Sequence, residues 1–173
     1  MSLPSDRYRE PLSFEQVYDE YYAKVFNFVY MRILHREDAE DVTADTFIKA
    51  MEAYGSYDPG KASYITWLCT IARNCMIDHI RKSHRDKIVP FDETFEAGEL
   101  DKELEKIEDD TGQRVLKILS HLKSEERELL SMRYTMEMDY QQIGKIMGIE
   151  AKAAAKRVER LLKKCRDIEG GKG

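Results

Sequence analysis

One stretch of the sequence, 62–85 (ASYITWLCTIARNCMIDHIRKSHR), repeats aromatic, amide and cationic side chains at helical spacing. An indole, amide groups that donate and accept hydrogen bonds, and cations suit single-stranded nucleic acid, in which bases stack on aromatic rings and cations follow the phosphates. The stretch therefore indicates a helix with one face for nucleic acid. Steps of about 100° per residue place these residues on that face: Tyr64, Trp67, Asn74, Asp78, Arg81, Lys82 and Arg85.

A second face of the same helix is apolar, as expected of a stripe that packs on a core. The alternative interpretation is an ordinary surface helix with one buried tryptophan, because amphipathic helices are far more common than base-stacking ones. The rest of the chain has to separate the two. The apolar residues lie about a quarter to a half turn from the first set: Ile65, Leu68, Cys69, Ala72, Cys75 and Met76.

The charge of the chain is unevenly distributed. The formal net charge of −5 over 173 residues argues against a nucleic-acid partner only if the charge is spread evenly. Residues 10–60 carry a net −7 and residues 92–110 a net −8, whereas residues 61–87 carry +4 and residues 145–166 carry +6. Two basic blocks separated by an acidic connector predict two sites for a polyanion.

The cysteines give little support to a metal site or an enzyme. Cys69, Cys75 and Cys165 form no Cys-x-x-Cys pair, so neither a disulfide framework nor a zinc ribbon is indicated. Cys75 and His79 are one helical turn apart, which is half a metal site at most, and we expect a core thiol. An enzyme that uses Cys75, Asp78 and His79 is the rival hypothesis, but these residues share one helix. No catalytic residue, metal or cofactor is predicted.

The first 60 residues predict two further helices. Ser13 is a candidate N-cap for a helix through about Leu34. A second helix follows, which we expect to end at Gly55 as a C-terminal glycine before the turn at 56–61. The face opposite its apolar stripe is charged, and a solvated face is the plain interpretation of it. The stripe is Ala39, Val42, Thr46, Phe47, Ala50, Met51 and Tyr54, and the charged face is Asp38, Glu40, Asp41, Asp45 and Lys49.

The last 60 residues predict a second helical domain. An apolar stripe begins after Gln113, and Ser124 opens the next helix. A short helix at 140–147, a turn at Gly148 and a basic helix at 150–167 follow the helix-turn-helix pattern. Apolar residues of the basic helix (Ala154, Val158, Leu161) face away from its lysines, so that cations are free to reach DNA. A solvated basic face is the alternative.

No run of 18 apolar residues and no apolar signal core occur in the sequence, so we expect a cytoplasmic protein without membrane insertion. The acidic stretch lacks periodicity apart from a short helical pattern at 100–107. The prediction is therefore an all-α chain of two small helical domains, at 11–86 and 113–168, joined by an acidic flexible linker at 87–112.

These patterns together resemble one family. The segments AEDVTADTFIKAMEAYGSYDP and YITWLCTIARNCMIDHIRKSHR are similar to the region-two module of bacterial sigma factors of the extracytoplasmic-function group, and LSHLKSEERELLSMRYTMEMDYQQIGKIMGI is similar to their region four. The resemblance implies a transcription initiation factor, not an enzyme, that binds core RNA polymerase and directs promoter recognition and DNA melting. It also implies an anti-sigma protein as a partner.

The resemblance assigns the second helix to the clamp helices of the polymerase beta-prime subunit, and the second domain to the beta flap and to duplex DNA at the minus-thirty-five element. The implied docking residues are Asp38, Asp41, Asp45, Thr46 and Lys49. The implied minus-thirty-five residues are Lys152, Lys156, Arg157, Arg160 and Lys163. The chain departs from the family at Ala153, Ala154 and Ala155, where a small polar residue and an arginine are common, which puts direct base readout in doubt.

The resemblance assigns the helix at 64–85 to the non-template strand of the minus-ten element. A flipped base is implied near the turn at 55–63, close to Asn74 and Asp78, and Trp67 becomes a packing residue rather than a stacking platform. A rival is a plain helix-turn-helix regulator with an N-terminal dimerisation module, which predicts tight duplex binding without polymerase. The implied minus-ten residues are Lys61, Ser63, Tyr64, Asn74, Asp78, Arg81, Lys82 and Arg85.

Overall fold

A computed structural model describes residues 10–86 and 108–171, with only the backbone of residues 84–86. The described residues form helices and turns and contain no strand, as the all-α prediction requires. Most of the predicted linker, together with its helical pattern at 100–107, lies outside the described residues. We call residues 10–86 the first module and residues 108–171 the second module.

Three helices build the first module. Helix α1 spans Phe14–Ile33 and begins with the predicted cap, since Ser13 Oγ accepts a hydrogen bond from the backbone of Gln16 at 3.2 Å. Leu34 adopts a left-handed conformation with φ of 54° and ends the helix. Helix α2 spans Arg36–Ala53 and α3 spans Tyr64–Asp86. Each helix packs on the other two. The core side chains include Val25, Phe28, Val29, Val42, Phe47, Leu68, Ala72 and Met76.

The end of α2 differs from the prediction. The helix passes into a 3-10 turn at Tyr54–Ser56 without a left-handed residue, and Gly55 does not have a positive φ. The chain leaves the helix by tightening its last turn, which does not require glycine. The prediction that Gly55 is a C-terminal glycine of this type is wrong.

Four helices build the second module. Helix α4 spans Asp110–Ser120, α5 spans Ser124–Leu130, α6 spans Tyr140–Met147 and α7 spans Ala151–Glu169, with a π-helical turn at Ser131–Thr135 after α5. Helix α4 begins earlier than predicted, because Asp109 Oδ1 accepts a hydrogen bond from the Gly112 backbone at 2.8 Å and caps it. The predicted linker therefore ends before residue 112.

The helix-turn-helix between α6 and α7 has the predicted bounds to within two residues. Gly148 adopts φ of 68°, the left-handed conformation that glycine favours at a helix end. The turn also needs a glycine at position 144, where an added Cβ lies 2.5 Å from the carbonyl oxygen of Ile149. Ile143, Ala154, Val158 and Leu161 are buried and join the two helices.

The two modules pack against each other. Helix α1 contacts α5 and the π-helical turn, and α3 contacts α6. The two modules therefore share an interface, and charged side chains from both modules lie in it.

Candidate nucleic-acid interface

The outward face of α3 carries most of the residues predicted to meet single-stranded DNA. Asn74, Asp78, Arg81 and Lys82 are exposed, and Lys61 is exposed in the turn that precedes the helix. The structure therefore leaves amide, carboxylate and cationic groups available along one side of α3. The side chain of Arg85 lies outside the described residues.

Two of the predicted contact residues near the start of α3 are not free. Tyr64 is 8% exposed, and its hydroxyl accepts a hydrogen bond from the backbone of Leu12 at 3.1 Å. Ser63 is half-buried and caps α3, with its Oγ 3.4 Å from the backbone nitrogen of Thr66. The prediction of an outward Tyr64 is wrong, because Tyr64 lies at the border of the two helical faces and the segment before α1 covers it.

Tyr64 belongs to an aromatic cluster that fixes the turn before α3. The ring of Tyr57 stacks on Tyr64 with centroids 4.5 Å apart and contacts Trp67 at 4.9 Å. Tyr54 lies 6.2 Å from Trp67, and its hydroxyl donates to the carbonyl oxygen of Leu12. Burial and the hydrogen bond with Tyr64 raise the pKa of Tyr54 to about 12. Trp67 is half-buried among these rings, which agrees with a packing role.

The turn itself is exposed and ordered by its own backbone. Asp58 Oδ1 accepts a hydrogen bond from Gly60 at 2.8 Å, and the carbonyl oxygen of Asp58 accepts one from Lys61 at 3.1 Å. Tyr57 donates its hydroxyl to the carbonyl oxygen of Ala62 at 2.8 Å, which anchors the turn at its far side. The aromatic cluster thus holds an exposed loop and a cation beside the first turns of α3.

The charged face of α2 is exposed only in part. Asp41, Asp45 and Lys49 are exposed. Thr46 is fully buried, and its hydroxyl donates to the carbonyl oxygen of Val42 at 2.7 Å, so the prediction that it contacts a partner is wrong. A threonine hydroxyl satisfied within its own helix packs in a core like an aliphatic side chain.

Two apolar residues of α2 face outward. Met51 is 57% exposed and Ile48 is 52% exposed. Met51 was predicted to face the core, and that prediction is wrong, because the buried face of α2 ends at Thr46, Phe47 and Ala50. Two large apolar side chains bordered by exposed charges suit a protein-binding surface, which has an apolar centre and a polar rim. A search for apolar residues on the charged side of the α2 pattern would have found Ile48.

Asp38 has partners within the first module. Its carboxylate lies 3.1 Å from Nδ1 of His35 at the start of α2 and 3.6 Å from Nε2 of His79 on α3. It is half-buried, and it connects α2 to α3. His79 therefore contacts a carboxylate of another helix rather than forming a site with Cys75.

The basic face of α7 has the predicted arrangement. All five residues predicted for duplex DNA are exposed: Lys152, Lys156, Arg157, Arg160 and Lys163. Lys164 lies at the edge of this face and pairs with Glu126 at 2.9 Å. Ala154 is fully buried against the rest of the second module, and Ala153 and Ala155 are half-buried. The first turn of α7 therefore presents no hydrogen-bonding side chain apart from Lys152.

A group of charged residues that the sequence analysis did not identify lies between the modules. Glu128 is fully buried, and its carboxylate pairs with Arg32 and, at 2.9 Å, with Arg73. Burial raises the pKa of Glu128, and the two arginines offset this only in part. The sequence held one signal, since Arg32 follows Val25, Phe28 and Val29 at core spacing.

Within 10–86 and 108–171, no group of three or more potential ligand side chains is placed to hold a metal ion. Cys69 and Cys75 are buried, and burial raises the pKa of the Cys69 thiol well above its ordinary value. Neither thiol is placed for nucleophilic chemistry. No helix in the described part of the chain is long and apolar enough to span a membrane.

Family models match both modules. Residues 17–86 match the model of sigma-70 region 2, and residues 112–165 match that of sigma-70 region 4. Together these segments cover more than half of the chain, and they occur in this order. The boundaries fall close to α1–α3 and to α4–α7.

Curated relatives carry related names. The chain is 27% identical to the ECF RNA polymerase sigma factor BldN of Streptomyces coelicolor over 79% of its length, and it spans about half of that protein (52%). It is 29% identical to the RNA polymerase sigma factor YlaC and 28% identical to the ECF sigma factor SigM, both of Bacillus subtilis. The matches cover 79% and 80% of this chain and 80% and 83% of those proteins.

Two solved structures share the fold. One is the sigma factor RpoE in complex with the anti-sigma factor NepR from Bartonella quintana, with a TM-score of 0.70 and 22% identity over 90% of this chain and 95% of that one. The other is CnrH in complex with the cytosolic domain of CnrY, with a TM-score of 0.67 and 22% identity over 92% of this chain and 89% of that one.

Proposed function

The chain belongs to the sigma-70 family as an alternative sigma factor of the extracytoplasmic-function type, which directs promoter-specific initiation of transcription, and we propose that its exposed surfaces divide this work between them. The observation that carries the proposal is the order of the two family matches together with an exposed basic face on α3 and another on α7. Each basic face lies in one of the two matched modules.

The proposed minus-ten surface is the outward side of α3 with the turn before it. Asn74 and Asp78 have hydrogen-bonding groups for the edges of an unstacked base, and Arg81 and Lys82 follow the phosphates of the same strand. Lys61 supplies a cation at the other end of this surface. The aromatic cluster acts indirectly, because it holds the turn and the helix start in one arrangement before DNA arrives. Preorganisation of this kind lowers the entropy cost of binding.

The proposed core-polymerase surface is the exposed side of α2. Asp41, Asp45 and Lys49 provide charges that orient the partner, and Ile48 and Met51 provide apolar area that is removed from water on docking. The partner that fits is the clamp-helices coiled coil of the beta-prime subunit, a helical surface on which α2 lies side by side. Asp38 contributes through its contacts with His35 and His79, which set the position of α2 on α3.

The proposed minus-thirty-five surface is the basic face of α7. Lys156, Arg157 and Arg160 anchor the phosphates of duplex DNA, and Lys152 and Lys163 extend this contact along the helix. The alanines of the first turn offer no hydrogen bonds to base edges, so DNA shape contributes more to selection than direct readout. The beta flap of core polymerase is the proposed protein partner of this module.

Capture of single-stranded bases drives melting in this proposal. Unstacking costs about a few kcal/mol per base step, and binding of an extruded base on α3 offsets it. Core polymerase places both DNA-binding surfaces on one promoter, so two weak contacts gain effective concentration. We also propose an anti-sigma protein as a partner, since a sigma factor of similar fold has been solved with an anti-sigma factor bound.

Run-off transcription tests the proposal. The purified full chain is added to core RNA polymerase on a library of genomic templates, and the expected result is initiation at discrete sites that depends on both components. Core polymerase alone and the chain alone are the controls. Absence of initiation at any site, or tight duplex binding that does not need polymerase, would contradict the proposal and favour a plain helix-turn-helix regulator.

A further inference from the structure

Charged side chains cross from one module to the other at a position shielded from water. Glu128 on α5 of the second module is 0% exposed, and its partners Arg32 and Arg73 come from α1 and α3 of the first. One carboxylate therefore joins three helices. We call Arg32, Arg73 and Glu128 the latch.

The neighbouring residue strengthens the same junction. Nε of Arg127 donates to the carbonyl oxygen of Met31 at 2.9 Å, and the guanidinium also donates to the carbonyl oxygen of Arg32. These carbonyl groups belong to the last turn of α1, where carbonyl oxygens have no hydrogen-bond donor within the helix. The same guanidinium donates to the carbonyl oxygen of Leu122 after α4. Arg127 thus satisfies helix ends in both modules at once.

The chemistry of the latch suits an interface that opens and closes. A buried ion pair gains little over the cost of removing its charges from water, but removal of one partner leaves the other charge buried and unpaired. When the modules separate intact, water solvates each charged group again, which recovers much of its desolvation cost. A large apolar surface would instead be exposed to water at a cost in free energy. The raised pKa of Glu128 agrees with a carboxylate whose desolvation is not fully offset by the arginines.

The closed arrangement does not fit simultaneous contact with both promoter elements, a point that rests on the proposed function. Elements at minus ten and minus thirty-five are separated by about 25 base pairs, or roughly 85 Å of duplex at about 3.4 Å per step. A compact chain of this length has a radius of gyration of about 16 Å. Two modules in direct contact through α1 and α5 are therefore too close together to bind the minus-ten and minus-thirty-five elements at the same time.

We propose that the Arg32–Glu128–Arg73 latch holds the free protein in a closed, self-inhibited arrangement, and that it opens when the two modules take their places on core polymerase and promoter. The latch acts through the distance between the modules, and it lies apart from the exposed faces of α3 and α7. Opening exposes Arg32 and Glu128, so any variant that weakens their pairing shifts the protein toward the open form.

Small-angle X-ray scattering of the full chain tests the closed arrangement. Glu128→Gln and Arg32→Gln change opposite sides of the latch, and each should raise the radius of gyration by about a quarter or more over the compact value. The double variant should open little further than Glu128→Gln alone, because that change already removes the ion pair that Arg32→Gln breaks. Glu126→Gln is the matched control, since Glu126 lies on the same helix and pairs with Lys164 inside the second module. Unchanged dimensions in both single variants, or equal expansion in the control, would overturn the proposal.

Circular dichroism separates opening from unfolding, because an opened protein keeps its helix content. If Glu128→Gln loses helix, the unmodified protein supplies the test by a distance measurement. Spin labels at the exposed positions Glu20 on α1 and Lys117 on α4 report the separation of the two modules, which should increase when core polymerase and promoter DNA are added. An unchanged distance would overturn the proposal.

Affinity for core RNA polymerase tests the inhibitory role. The expected result is several-fold tighter binding by Glu128→Gln and Arg32→Gln than by the unmodified chain and by Glu126→Gln. Expansion without tighter binding would overturn self-inhibition. Expansion with no binding of core polymerase by any form would instead overturn the proposed function, while the closed arrangement would stand.

Discussion

The indole of Trp67 packs against the ring of Tyr57 with ring centroids 4.9 Å apart, which ties the first turns of α3 to the loop that precedes it. Tyr57 in turn stacks on Tyr64 at 4.5 Å. The residues beside the proposed DNA surface are thus organised by an aromatic contact that is itself half-buried. We expect stability and DNA opening to depend on different residues of this segment, and substitutions test this.

Trp67→Ala should lower the free energy of unfolding by about 3 kcal/mol, at the low end for a large aromatic because the indole is only half-buried. Denaturant unfolding followed by circular dichroism measures it. Trp67→Phe should lose clearly less, since a ring is retained against Tyr57. A stable Trp67→Ala variant that fails only in promoter opening would mean that the indole contacts DNA directly.

Asn74→Ala should reduce promoter opening about 5- to 150-fold, which corresponds to the loss of about 1–3 kcal/mol of hydrogen bonding to a base. Because Asn74 is exposed, the free energy of unfolding should change by less than about 0.5 kcal/mol. Permanganate reactivity of thymines near the start site measures opening. Asn27→Ala, an exposed asparagine on α1, is the matched control. Equal opening by the two variants would remove Asn74 from the DNA surface.

Asp45→Arg should weaken binding to core polymerase by about tenfold, or about 1.4 kcal/mol, because it reverses an exposed charge on α2. The melting temperature should stay nearly constant. Fluorescence anisotropy of labelled chain titrated with core polymerase gives the affinity. Glu20→Arg makes the same change on the exposed side of α1 and should bind normally. A large fall in melting temperature for Asp45→Arg would assign this face a structural role.

Lys156→Ala should weaken binding of the holoenzyme to duplex minus-thirty-five DNA nearly equally for all sequences and lower the slope of log K against log salt by about 1. The exposed ammonium on α7 is the reason, since each phosphate contact releases counterions. Binding constants measured between about 50 and 200 mM salt, a range over which phosphate contacts change the affinity strongly, give the slope. Lys117→Ala on α4 is the control. An unchanged slope for Lys156→Ala would exclude a phosphate contact there.

Gly144→Ala should destabilise the second module by about 1–3 kcal/mol, because the new methyl group would lie 2.5 Å from the carbonyl oxygen of Ile149 and force the helix-turn-helix apart. Gly55→Ala is the control, since a Cβ at that position meets no atom within 4 Å. It should leave stability within about 0.5 kcal/mol of the parent protein. Thermal unfolding measures both. A neutral Gly144→Ala variant would show that the turn relaxes at little cost.

Local rules predicted the parts of this fold that depend on neighbours in sequence. Ser13 caps α1, Gly148 takes the left-handed conformation, and the helix-turn-helix falls where its turn residues place it. The five cations predicted for duplex DNA are all exposed, because a face opposite Ala154 and Val158 has to point outward.

Residues at the border between faces were less predictable. Tyr64 was expected on the outward face of its helix, but the segment before α1 covers it. The spacing of Thr46 placed it correctly on the apolar stripe of α2, and only the family resemblance gave it a partner. Met51 was expected inside and lies outside. Helical periodicity predicts the direction of a side chain around the helix axis only approximately. For a residue between the apolar and polar faces, tertiary contacts decide whether it is buried or exposed.

The latch was beyond sequence reasoning for a different reason. Arg32 and Glu128 are 96 residues apart, and no local pattern connects them. A charged residue at core spacing signals that a partner exists but not where it is. Only the packing of α1 against α5 identifies it.

The contact of Arg127 with α1 also bears on the order of events during synthesis. The carbonyl oxygen of Arg32 receives its hydrogen bond from a residue 95 positions later. At about 5 to 20 residues per second, the ribosome needs roughly 5 to 20 s to supply that guanidinium after α1 has been made. Until then water has to solvate the last turn of α1, and the nascent first module exposes Arg32 and Arg73 without their carboxylate. A chain stopped before residue 127 would therefore retain the proposed minus-ten surface but lack the groups that close the latch.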